Sequence, residues 1–76
     1  MRLEHKEITK DDLKVGTTYF AKRRKETAFG NNDRTLVYVG SSAVQYDSDT
    51  VGIGRHYPSI YKEQFCKWAG GVVHFE

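Results

Sequence analysis

A mainly β domain, a small and strongly bent antiparallel sheet with one short C-terminal helix, is the fold class this sequence predicts. Three observations predict it. Thr35–Asp47, TLVYVGSSAVQYD, is two β-patterned runs around a Gly-Ser-Ser turn. Thr17–Arg23, TTYFAKR, is dense in β-branched and aromatic residues, the types that fit a pleated surface. Between residues 59 and 69, Tyr61, Phe65, Trp68 and Ala69 recur at i, i+4, i+7 and i+8, an apolar stripe of helical period.

A chain of 76 residues is one small domain, 1–76, with residues 1–8 as a ragged edge strand or a loose arm. So short a chain hides only about 60% of its unfolded surface. Its core must therefore be compact, and five Tyr, four Phe and one Trp supply large rings for it.

Along the chain, Thr9-Lys10-Asp11-Asp12 has capping-box spacing, with Asp in place of Glu, and predicts one helical turn that Gly16 ends. The strand Thr17–Arg23 follows, with Tyr19 and Ala21 on one face and Thr18 and Phe20 on the other. Arg24–Arg34 is a long connection with Gly-Asn-Asn-Asp as its turn signal and Phe29 as its apolar anchor. In the hairpin, a two-residue type II′ turn at Gly40-Ser41 places Val37, Val39, Val44 and Tyr46 on one face. A three-residue loop gathers Leu36, Tyr38, Val44 and Tyr46 instead. Ser48–Gly54 reads as a turn and a short or bulged strand, and Arg55–Tyr57 as a further strand that Pro58 stops. The helix is expected over 59–69, with Ser59 as N-cap and Gly70-Gly71 as its stop. Val72–Phe75 closes the chain as a short strand able to pair with a sheet edge.

No window approaches the roughly 18 apolar residues of a membrane span, and MRLEHKEITKDD lacks the apolar core of a signal peptide. One cysteine excludes an internal disulfide and suits a reducing, intracellular location.

Catalytic and metal chemistry find little support. Cys66 lacks a Cys-His signature and reads as a small apolar residue of the helix. His5, His56 and His74 are too scattered for a zinc pattern, and DSDTVGIG lacks the closing Glu of a calcium hand. Gly52-Ile53-Gly54 continues to Tyr57 where a dinucleotide fingerprint needs a third Gly, so it reads as a bulge or tight bend. No metal, cofactor or enzymatic activity is expected.

The polar cluster that stands out is Lys22-Arg23-Arg24-Lys25, with Arg34 at the far end of the same loop. As a nucleic-acid patch it neutralises phosphates, with Tyr19, Phe20 or Phe29 for stacking. As a plain strand end it is a solvated face that resists edge-to-edge aggregation. A formal net charge of +2 is too slight to decide by itself. Phe65 and Trp68 are expected in the core, whereas Tyr38, Tyr57 and Tyr61 are placed to meet a partner.

The phrase DLKVGTTYF resembles the common entry into the first strand of Src-homology-three-like small barrels. The segments RTLVYVG, VQY and FCKWA, which span the C-terminal half, resemble a pattern in small, mostly uncharacterised phage and prophage proteins. That resemblance implies an accessory protein in the cytoplasm of a bacterial host and assigns no active site. The expected function is a non-catalytic binding module that docks on a host or phage macromolecule and modulates or inhibits it. A protein partner is expected, and no membrane. A nucleic-acid-binding small barrel that uses the basic loop is the alternative. The expected contact residues are Arg23, Arg24, Lys25, Arg34, Tyr38, Gln45 and Tyr57.

Overall fold

The computed structural model describes residues 1–27, 30–49 and 56–75. The strands are β1 (Arg2–His5), β2 (Thr18–Ala21), β3 (Glu26–Thr27), β4 (Gly30–Asn31), β5 (Arg34–Val39), β6 (Ala43–Asp47), β7 (Ser59–Tyr61) and β8 (Ala69–His74). One helix, α1 (Lys62–Trp68), and a 3-10 turn at Lys10–Asp12 complete the described elements. Six strands form one antiparallel sheet in the order β1-β8-β2-β5-β6-β7, and β3 and β4 form a small ribbon of their own. The mainly β class with a single short helix is as the sequence predicts.

The N-terminal residues form the edge strand β1, paired with β8 through Arg2↔His74 to His5↔Gly71. The capping box also forms. The Asp12 carboxylate accepts from both the backbone N–H and the hydroxyl of Thr9, at 2.9 Å each. Gly16, at φ 87°, then turns the chain and donates its N–H to the Leu36 carbonyl, which leads into β2 beside β5.

The hairpin differs from both expected registers. Val39 pairs with Val44 and Tyr38 with Gln45, so the two central turn residues are Ser41 and Ser42, one position later than expected. Gly40 does not have positive φ, and the type II′ turn there does not form. A bulge between Leu36 and Tyr38 then brings Leu36, rather than Val37, opposite Tyr46. One extra residue reverses the face of everything beyond it. The inner face is accordingly Leu36, Val39, Val44 and Tyr46, drawn partly from each of the two expected sets.

At the helix, Ser59–Tyr61 is strand β7, not the first turn. Its pairing with β6 (Val44↔Ile60, Ala43↔Tyr61) satisfies backbone groups that a helix start leaves open. The helix therefore begins at Lys62, and Tyr61 lies off the apolar stripe, 65% exposed. At the other end Gly70-Gly71 does not halt the chain but continues it within β8. A Cβ on Gly71 would overlap the Glu4 carbonyl and the Phe20 ring, so the strand passes there only as glycine. The last strand sits inside the sheet between β1 and β2, where an edge position was expected.

The core joins Ile8, Leu13, Tyr19, Leu36, Val44, Phe65 and Ala69, with Val39, Tyr46, Ile60, Cys66, Trp68 and Val72 packed against it. Tyr19 meets Phe65 edge to face at 5.3 Å, the favoured geometry of an aromatic pair. Its buried hydroxyl donates to the Asp12 carbonyl and accepts the Lys14 N–H, so its polar end is satisfied. Phe20 and Val73 are buried on the opposite face of the sheet, where the His5 ring lies edge-on to Phe20. The expected strand over Ser48–Gly54, the Gly52-Ile53-Gly54 bend and the anchor Phe29 lie wholly or mainly outside the described residues.

Candidate functional site

The basic run and the end of α1 meet across the sheet. Pairing of Ala21 with Ala69 joins β2 to β8 just past a bulge at Phe20/Ala21. The Lys22 N–H then donates to the Trp68 carbonyl at 3.0 Å. Gly70 eases this approach, since a Cβ there would stand 3.0–3.1 Å from the Lys22 backbone, a tight contact. Lys67 and Trp68 are thereby brought to a run of cations more than forty positions earlier in the chain.

Asn32 shapes the loop that follows. Its Oδ1 accepts the Lys25 N–H at 2.9 Å, its own N–H donates to the Lys25 carbonyl, and its Nδ2 donates to the Arg23 carbonyl. The result is an open hollow of about 360 Å³ lined by Ala21, Lys22, Arg23, Lys25, Asn32, Lys67 and Trp68. Among the described residues, none of its four cations makes an ion pair.

The neighbouring Arg24 behaves differently. Its Nε and Nη2 grip both carboxylate oxygens of Asp33 at 3.0 Å, and its Nη1 donates to Glu26 at 2.9 Å. The first of these contacts, with Asp33, raises its pKa further above the ordinary arginine value. Arg24 thus closes the base of the β3–β4 ribbon and is not offered to a ligand.

Arg34 is also engaged, though by rings. Its guanidinium lies 4.3 Å from the Tyr46 ring centroid and 4.2 Å from that of Trp68. Its Nη1 is buried and has no hydrogen-bond partner among the described residues. Burial lowers its pKa, an effect that the neighbouring Tyr46 opposes. This sandwich, with Phe65 5.2 Å away, fixes the plane of the half-buried Trp68.

Of the expected contact residues, the fold therefore gathers Arg23 and Lys25 in the hollow, ties up Arg24, and places Arg34 behind Trp68. Tyr38 and Gln45 lie elsewhere, as partners on the outer face of the hairpin. Ser59 extends that row and Tyr61 stands opposite Ala43 on the same face. Tyr38 is 57% exposed, and Tyr57, just before β7, is 46% exposed. Lys22 was visible in sequence as part of the basic run. Lys67 falls off the apolar stripe of the helix and Trp68 was expected in the core, and the signal that joins them to the run is the β2–β8 register, which is not local.

Cys66, on α1 itself, is half-buried, and burial, with Asp12 nearby, pushes its thiol pKa up. His74 is engaged with Glu4 at 2.7 Å. No group of three or more metal-ligating side chains occurs among the described residues. No described helix is long and apolar enough to cross a membrane. Comparison with known proteins finds no matching family model, curated protein or solved structure.

Proposed function

We propose that this chain is a non-catalytic binding module that docks on a polyanionic macromolecule through the Lys22–Arg23–Lys25–Lys67 hollow. The observation that carries this reading is a hollow lined by four cations and by no carboxylate. Like charges held together repel, and interleaved acids relieve that repulsion. The chain does so for Arg24, one position away, by giving it both Asp33 and Glu26. The resemblance of the C-terminal half to phage accessory proteins adds a setting: the partner is a macromolecule of a phage or its bacterial host.

Retention on heparin, a generic polyanion, tests the docking reading. The Lys22→Glu/Lys67→Glu variant should elute at markedly lower salt than the parent. Arg2→Glu/Lys14→Glu makes the same change in net charge at exposed positions outside the hollow, and should elute close to the parent. Equal loss in both variants would mean that overall charge, not the hollow, is responsible.

A second reading rests on the outer hairpin face. Tyr38, Gln45, Ser59 and Tyr61 form a continuous surface over β5, β6 and β7, and exposed tyrosines are typical anchors of protein contacts. A protein partner docked there should be lost from a lysate pull-down with Tyr38→Asp/Tyr61→Asp and kept with the Lys22/Lys67 variant.

A further inference from the structure

We infer that the polyanion taken by the hollow is a single-stranded nucleic acid, with one unpaired base seated against Trp68; this rests on the docking reading above. Charge alone does not separate a nucleic acid from an acidic polypeptide, because both neutralise lysines and arginines. The ring in the hollow does. Trp68 lines the same cavity as Lys22, Arg23, Lys25 and Lys67. A phosphodiester strand alternates negative charge with flat aromatic bases, and a rim of cations around one indole matches both parts. Acidic side chains match the rim alone.

Strandedness follows from the same geometry. In a duplex the bases stack on one another and pair inward, so an aromatic side chain reaches their faces only after unstacking. A single strand presents them freely. The hollow, at about 360 Å³, falls near the lower end of the roughly 300–1,000 Å³ range of small-molecule pockets. It suits one nucleotide-sized unit, with the flanking phosphates on the surrounding cations. Asn32 lines the cavity too, but its side chain is already committed to the Lys25 N–H and the Arg23 carbonyl. It supplies shape, so recognition by stacking and charge with little base preference is expected.

The platform is built in advance. Arg34 covers one face of the Trp68 ring and is itself backed by Tyr46, which holds the indole in place from within the domain. A ring already immobilised loses little conformational freedom when a base arrives. This gives Arg34 a role toward the strand although it does not touch it: it positions Trp68.

Trp68 is the chain's single tryptophan, so its fluorescence reports on the hollow directly. The test titrates the protein at low salt with an oligothymidylate of about ten nucleotides, an abasic phosphodiester strand of equal length, a duplex and polyglutamate. Oligothymidylate should quench the fluorescence and bind roughly 5- to 150-fold tighter than the abasic strand, the range that stacking of one base supplies. Labelled-strand anisotropy then compares Trp68→Phe, which keeps a stacking ring, with Trp68→Leu, each checked for folding by circular dichroism. The Phe variant should retain most of the affinity and the Leu variant should fall toward the abasic level. Should the abasic strand, the duplex or polyglutamate bind as tightly as oligothymidylate, the stacking inference is overturned while docking on polyanions stands. Should heparin and every strand fail to bind at low salt, both readings fall together.

Discussion

Arg34 serves this fold through its shape. A planar guanidinium fits between two rings, and a lysine ammonium on a flexible stem does not reproduce that stack. Arg34→Lys should therefore destabilise the protein by about 1–2 kcal/mol. Arg34→Met, which fills the slot and removes the unpartnered buried Nη1, should cost less than the lysine variant. Urea denaturation checks the order; a lysine variant as stable as the parent would show that the sandwich adds nothing to stability.

Asp12 makes the residue-scale case for pH. The Thr9 N–H first, and then the Thr9 hydroxyl, hold its carboxyl below the ordinary aspartate value. A carboxyl depressed in the folded state stabilises above its unfolded pKa and loses that contribution as pH falls through roughly 4 and below. Glu4, lowered first by its hydrogen bond with His74, acts in the same direction. Urea midpoints should fall on acidification below about pH 5, and less steeply in Asp12→Asn; an identical slope in the variant would remove Asp12 from the transition.

Individual elements show which sequence signals were sufficient. The capping box, the strand through Tyr19 and Phe20, and the hairpin between residues 35 and 47 were all legible, because each rests on local chemistry or period-two alternation. Tyr38 faces outward as one of the two expected registers had it, although the turn that gives it that face is a different one. The Leu36/Tyr38 bulge was not, since an inserted residue leaves no mark in a run of apolar types that tolerate either face. Nor was the start of α1. Ser59-Ile60-Tyr61 has both a cap residue and strand formers, and the open edge of β6 decides between them.

Gly70-Gly71 misled for a related reason: glycine ends helices, but it also lets backbones approach. At Gly71 that approach is to β1 and Phe20. Gly71→Ala should force β1 outward and cost about 1–3 kcal/mol, as overpacking usually does. Thermal denaturation reads the loss, and amide exchange should show it concentrated in Arg2–His5. A variant with parental melting and unchanged exchange would contradict the contact.

On the scale of the whole molecule, half of the hollow was visible in sequence as a basic run, and half was not. Lys67 and Trp68 join it only because β8 lies beside β2. Sequence separation hid the second half, since nothing local ties Trp68 to residues 22–25. The pairing of Arg24 with Asp33 and Glu26 was equally out of reach, because a run of four cations does not say which one the loop turns inward.

The placement of β8 has a consequence in time. Ala69–His74 pairs on one side with Arg2–His5 and on the other with Thr18–Ala21. On a ribosome, both partners emerge long before the strand that joins them. Until then β1 has no neighbour, β2 has a bare edge, and the Trp68 platform has no wall of cations to face. Contacts so distant along the chain slow folding and leave open edges exposed meanwhile. The hollow thus waits on the last strand of the chain, because only the pairing of β8 with β2 brings Trp68 to the basic run.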